Sequence, residues 1–307
     1  MPHQKISKGA GVISAVVLLL MSTVAAAGAG GDFSKLEGPY LGQTPPGQTP
    51  EIFAPGLIES DLHSCPVFSE DGLEAYWSTM EGSSILTSRY DGQGWTVPEK
   101  IGFADFMGSS GEPCLTPDGK RLLFISSADP GYGVPKQENV WVSDRDADGW
   151  RRPGLLSKTV SSIPVHWQVS VAANGNLYFH SLASGGGDIF VAEFRDGKYS
   201  EPQRLPDAIN TPHYDNAPFI APDESYLIFC SVDFKSTRMS DMYVSFRNAD
   251  GTWGEAKALA ELNQDRSNEA CPNVTRDGKY LFYLSNTKEG FSAHWVSASI
   301  LDKYRLQ

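Results

Sequence analysis

The chain reads as an all-β domain, a β-propeller of five four-stranded blades, with six as the alternative count. Three observations predict this. One short phrase recurs five times, it recurs at blade-length intervals, and no helical periodicity appears outside the N-terminal apolar run. In the fullest copy, Pro113, Pro117, Asp118, Gly119 and Lys120 precede an apolar strand, Leu122 to Ile125. Anchored on Asp71, Asp118, Asn174, Asp223 and Asp277, the steps are 47, 56, 49 and 54 residues. Repeats of that length, each holding four strand-like pieces, are propeller blades.

Each piece of the unit has a physical reason. Asp-Gly and Asn-Gly between apolar alternations favour tight turns, because both residues tolerate positive φ. The turn joins a first strand to an aromatic-rich second, such as Leu227 to Ser231 or Leu281 to Ser285. A third strand follows at Ile85, Val140, Ile189, Met242 and His294. A second turn comes next, at Asp91-Gly92, Asp148-Gly149, Asp196-Gly197 and Asp250-Gly251. The aromatic behind it (Trp95, Trp150, Tyr199, Trp253) is expected in the core between blades rather than as a sugar platform. Pro98, Pro153 and Pro202 then mark a short outer strand, where no ladder donor is required. The fifth unit lacks this outer strand. The segment Glu51 to Leu57 is the candidate to supply it, joining the last blade and closing the ring without open edges.

Residues 1–27 have the form of a signal peptide: Lys5 and Lys8, an apolar core from Val12 to Met21, and small residues at Ala25 to Ala27. A periplasmic or secreted location follows, with no membrane insertion after cleavage. Residues 28–50, rich in Gly, Pro and Thr, read as a linker unable to bury apolar surface. Residues 51–307 form the propeller, expected as a monomer. The net charge is −12, and more negative once Lys5 and Lys8 are removed, which argues against nucleic acid as a partner.

The repeat resembles the Pro-Asp family of WD-like propeller repeats, of the TolB-like type. The resemblance rests on Pro113 to Lys120 and on Gly186 to Phe190, the latter echoed by Ser240 to Tyr243. It implies the fold. Its members serve as binding scaffolds, as appendages of peptidases and as some lyases, so it leaves function open.

Strand polarity places the tight Asp-Gly turns on one face of the disc and the longer connections on the other. Recognition belongs on the long-loop face. Eight residues before the anchors stand His63, Ser110, His166, Asp215 and Glu269; six before stand Cys65, Glu112, Gln168, Ala217 and Cys271. Residues two apart on a strand share a face, so both tiers are expected to line one funnel at the channel mouth. That set suits a small polar or saccharide ligand, and a divalent cation is the one cofactor open to it. The alternative role is to solvate the channel and bond neighbouring blades. Cys65 and Cys271 fall in units that ring closure makes neighbours. They are either a disulfide or two buried thiols, and Cys114 and Cys230 should not pair.

Two further signals have structural readings. Asp144, Asp146 and Asp148 match half a calcium loop, but Leu155 stands where a bidentate Glu belongs, so turn chemistry is preferred. Asp188, Asp241 and Asn139 open third strands and are expected to satisfy donors at blade corners. Nucleophile elbows, zinc-protease motifs and phosphate loops are absent from the sequence, and no catalytic residue is assigned. The expectation is a non-catalytic scaffold for an envelope or secreted protein or a small ligand. The rival is a metal-assisted carbohydrate lyase or hydrolase, with His63 and His166 as ligands and Glu112, Asp215 or Glu269 as base.

Overall fold

The structure, a computed structural model, describes residues 32–58, 61–81, 84–233, 240–263, 267–287 and 290–305. The expected signal peptide lies outside these residues. Five antiparallel sheets follow one another as the blades of a propeller. Blade one comprises Val67–Phe68, Glu74–Ser78, Ile85–Arg89 and Glu99–Lys100. Blade two comprises Gly111–Leu115, Arg121–Ser126, Asn139–Asp146 and Gly154–Leu155, with Gly149–Trp150 folded back on the third strand. Blade three runs His166–Val171, Leu177–Ser181, Asp188–Ala192 and Gln203–Arg204. Blade four runs Tyr214–Ile220, Tyr226–Val232, Asp241–Phe246 and Lys257–Ala258. Blade five takes Glu269–Val274, Tyr280–Thr287 and Gly290–Ser297 from the end of the chain and Glu51–Ile52 from its beginning. The ring therefore closes as the sequence predicts, with Glu51 opposite Trp295 and Ile52 opposite His294.

The core is five seams, one between each pair of neighbouring blades. Phe53, Phe68, Phe282 and Trp295 meet where blade five joins blade one. Tyr76, Leu122 and Phe124 fill the next seam, then Leu123, Val169 and Phe179, then Tyr178, Leu227 and Phe229, then Ile228, Leu281 and Tyr283. Trp95, Trp150, Tyr199 and Trp253 each pack into a seam, the role expected of them. Trp95 Nε1 also donates to the Gly38 carbonyl at 2.9 Å.

All five anchor residues act alike. The side-chain oxygen of Asp71, Asp118, Asn174, Asp223 and Asp277 accepts the amide two residues on, at 3.0 to 3.1 Å. This local bond holds the tight turn and explains why only Asp or Asn occupies the position. Two corner clamps were not read from sequence. Asn210 accepts the Ile189 amide and donates to its carbonyl, and Asn263 does the same for Met242. Asp188 meets side chains rather than backbone donors at its corner: Ser184 donates to it, and Arg204 pairs with it at 3.0 Å. Asn139 donates to the Gln137 carbonyl. In the half calcium loop, Asp144 pairs with Arg121 and Asp146 with Arg151, which is turn chemistry.

One expectation is corrected. The described part of the supposed linker, residues 32–50, is laid against the disc and is not free of it. Phe33, Tyr40 and Leu41 are buried in the closing seam. Tyr40 takes the Gly72 carbonyl through its amide and Asp277 through its hydroxyl. The Trp95 amide donates to Phe33, and the Ser297 amide to Gly47. Composition dominated the linker reading, and three large apolar side chains are enough to overturn it.

Candidate functional site

The innermost strands of blades two to five each carry a bulge at the same level. The register shifts between Gly111 and Cys114, His166 and Val169, Asn216 and Phe219, and Ala270 and Asn273. At each bulge one residue is in the left-handed region: Glu112, Trp167, Ala217 and Cys271. In blade three this residue falls seven rather than six positions before the anchor, and two extra residues are accommodated instead of one. A bulge breaks the period-two alternation. The two tiers expected to share one funnel are therefore separated, except in blade two, where Ser110 and Glu112 still face one cavity.

His63, Ser110, Glu112 and His166 do come together. They line a cavity of about 230 Å³ on the long-loop face, with Trp167 and Glu138. His63 Nδ1 lies 2.9 Å from Glu112 Oε1, linking blades one and two. His166 Nδ1 bonds Glu138, linking blades three and two. Trp167 sits between the pairs: its ring stacks on His63 at 6.0 Å and 16°, and meets His166 edge-on at 5.0 Å. The tryptophan is 37% exposed, beside two part-exposed imidazoles. The hydrogen bond that His63 donates to Glu112 holds the imidazole above the usual histidine range, against the opposing effect of burial. Behind His166, buried His180 is pushed down to about 4 by desolvation.

The other expected residues lie elsewhere. Gln168 crosses the channel and donates to the carbonyls of Pro218 at 3.3 Å and Pro272 at 2.7 Å, bridging blades three, four and five. Asp215 is fully buried, and its carboxylate accepts the Thr211 amide at 2.6 Å. Burial raises its pKa, partly offset by Ser231 and Thr211. Glu269 is equally buried and accepts from Ser285 at 3.1 Å and from Ser267. These three residues bond neighbouring strands, the structural role weighed for the tier. The Cys65–Cys271 bond is not formed: all four cysteines are free, and the Cys271 thiol donates to the His63 carbonyl at 3.8 Å. Burial pushes both thiols well up.

Sequence reasoning missed Trp167 and Glu138. Glu138 ends a long connection with no periodic signal. Trp167 was visible as a large aromatic in the worn third copy, but its off-phase position hid it. Among the described residues, no three His, Cys, Asp or Glu side chains are placed to hold one metal ion. His63 and His166 each direct Nδ1 to a carboxylate, an arrangement that fixes ring orientation.

No family model matches the sequence, and no curated protein matches it. Solved structures do match in fold. A putative TolB from Agrobacterium tumefaciens aligns with a TM-score of 0.51 at 16% identity, covering 73% of this chain and 69% of that one. An endo-arabinase from Bacteroides thetaiotaomicron aligns with a TM-score of 0.50 at 18% identity, covering 82% of this chain and 95% of its own. At these identities the likeness is one of fold, a TolB-like propeller.

Proposed function

We propose that this TolB-like propeller is a non-catalytic binding scaffold, exported by its N-terminal segment, whose long-loop face takes a small hydroxyl-rich ligand of the saccharide class. The observation that carries the reading is Trp167, part-exposed between two histidine–carboxylate pairs in one cavity. An aromatic face receives the apolar side of a sugar ring, while carboxylates, imidazoles and the surrounding hydroxyls bond its polar rim. Ser78, Thr79, Ser109, Ser126 and Ser127 furnish those hydroxyls. Mounting the set on three blades keeps it rigid, which limits the ordering cost of binding.

Titration of an oligosaccharide panel, followed by tryptophan fluorescence, tests this. Binding should fall at least about tenfold in Trp167→Ala, a loss of about 1.4 kcal/mol, with the far-ultraviolet spectrum unchanged. A panel with no ligand, or a Trp167→Ala protein that binds as tightly as the parent, refutes it.

The fold likeness to an endo-arabinase, with Glu112 and Glu138 facing one cavity, favours carbohydrate cleavage as the second reading. Paired carboxylates are the usual machinery of glycoside hydrolysis. Of the three bases named from sequence, only Glu112 lines this cavity. Sugar release that disappears in both Glu112→Gln and Glu138→Gln would replace the scaffold reading with this one.

A further inference from the structure

A second cavity, of about 180 Å³, occupies the channel on the tight-turn side of Gln168. Its walls are mainly apolar, with Val67, Phe68, Val169, Val171, Phe219 and Val274 drawn from all five blades save the second, which adds Leu115. At the turn end stands one cation, Arg276. Its side chain is only 14% exposed, and its Nε is buried without a hydrogen-bond partner among the described residues. The carboxylate in ion-pair reach, Glu70, is 3.9 Å away and 78% exposed. Neighbouring Asp118 already holds Thr116 and the Lys120 amide. Arg276 fits here because Gly119 is bare: a Cβ at that position would meet Nη1 at 2.5 Å.

A buried guanidinium needs a compensating anion, because desolvation is costly and an orphaned donor adds to it. The cavity is far larger than one water requires and smaller than a drug-sized pocket. Its surface is matched by a hydrocarbon chain rather than by a fully polar anion. We propose that this cavity binds a short-chain aliphatic carboxylate, with the carboxylate on Arg276 and the chain in the channel. Fork geometry allows the guanidinium to take the carboxylate in two parallel bonds. The site lies across the Gln168 bridge from the Trp167 cavity, with Glu112 at the wall shared by the two, and its recognition by Arg276 does not depend on the saccharide reading.

Sodium hexanoate, titrated calorimetrically into the full chain, is the probe. It should bind at millimolar or lower concentration, and at least about tenfold more weakly to Arg276→Met. Val274→Phe fills the cavity without touching the charge and should also abolish binding, with the far-ultraviolet spectrum of both variants unchanged from the parent. Hexan-1-ol and inorganic phosphate, each carrying half of the recognition, should bind far more weakly than hexanoate. Absence of hexanoate binding overturns the proposal, as does equal binding to Arg276→Met. Equal binding of the alcohol or of phosphate also overturns it, since charge or chain would then be irrelevant.

Discussion

His180 shows how one residue reports on the packing around the candidate site. Its ring is fully buried, 4.9 Å from Tyr214 and 6.0 Å from His166, and Nδ1 bonds the His166 carbonyl at 3.2 Å. Burial holds its pKa at about 4, below the unfolded value of 6.5. Between those values the unfolded chain binds more protons, so stability falls as pH drops from 6.5 towards 4. The ceiling on this loss is about 3 kcal/mol. His63 has the opposite sign. Its raised value contributes stability that is complete below 6.5 and is lost as pH rises through the folded value. It is therefore flat in the His180 window. Urea midpoints measured across that window should decline more steeply for the parent than for His180→Gln, in which His294, also lowered by burial, keeps part of the slope. A parallel decline in both would show that His180 is not the group responsible.

At the scale of the element, the repeated turn is instructive where it departs from its own pattern. Gly72, Gly119, Gly175 and Gly278 follow their anchors with positive φ; blade four has Glu224 there, at φ 58°. The left-handed backbone is unfavourable for such a side chain. Four donors offset it: Asn174 and Asn176 at 2.9 Å, Tyr178 at 2.6 Å and Arg247 at 3.4 Å. Burial raises the Glu224 pKa, but Tyr178, Asn176, Asn174 and Arg247 together hold it below the usual range. The turn thus becomes a clamp between blades three and four. Glu224→Ala keeps the backbone strain and orphans the Tyr178 hydroxyl, so it should cost about 2–4 kcal/mol in urea unfolding. A loss under about 0.5 kcal/mol, the scale of a surface change, would refute the clamp.

For the whole molecule, stability depends on the seam where the two ends of the chain meet. Phe53 follows the closing strand and sits 5.0 to 5.6 Å from the rings of Phe68, Phe282 and Trp295. Its amide donates to Ala293 at 2.8 Å. Phe53→Ala should cost about 3–5 kcal/mol. Hydrogen exchange should quicken first along Gly290–Ser297, whose outer edge would open. Uniformly faster exchange in all five blades would instead indicate one cooperative unit with no special seam.

The repeat, its five copies, the tight turns and the borrowed closing strand were legible in the amino-acid order alone. Each follows from short-range chemistry: Asp or Asn bonding the amide two residues on, glycine at positive φ, alternation along a strand. The docking of Phe33, Tyr40 and Leu41 was not legible, because burial depends on which surface lies opposite. The site was legible by half. His63, Ser110, Glu112 and His166 were found by counting back from the anchors, and they do meet. Gln168, Asp215 and Glu269 were found by the same count, yet they bond neighbouring strands. A bulge shifts the face of a strand by one residue, and nothing local to the sequence records whether it absorbs one residue or two. That choice is made by packing against the next blade, and it alone brought Trp167 to the cavity between the two histidines.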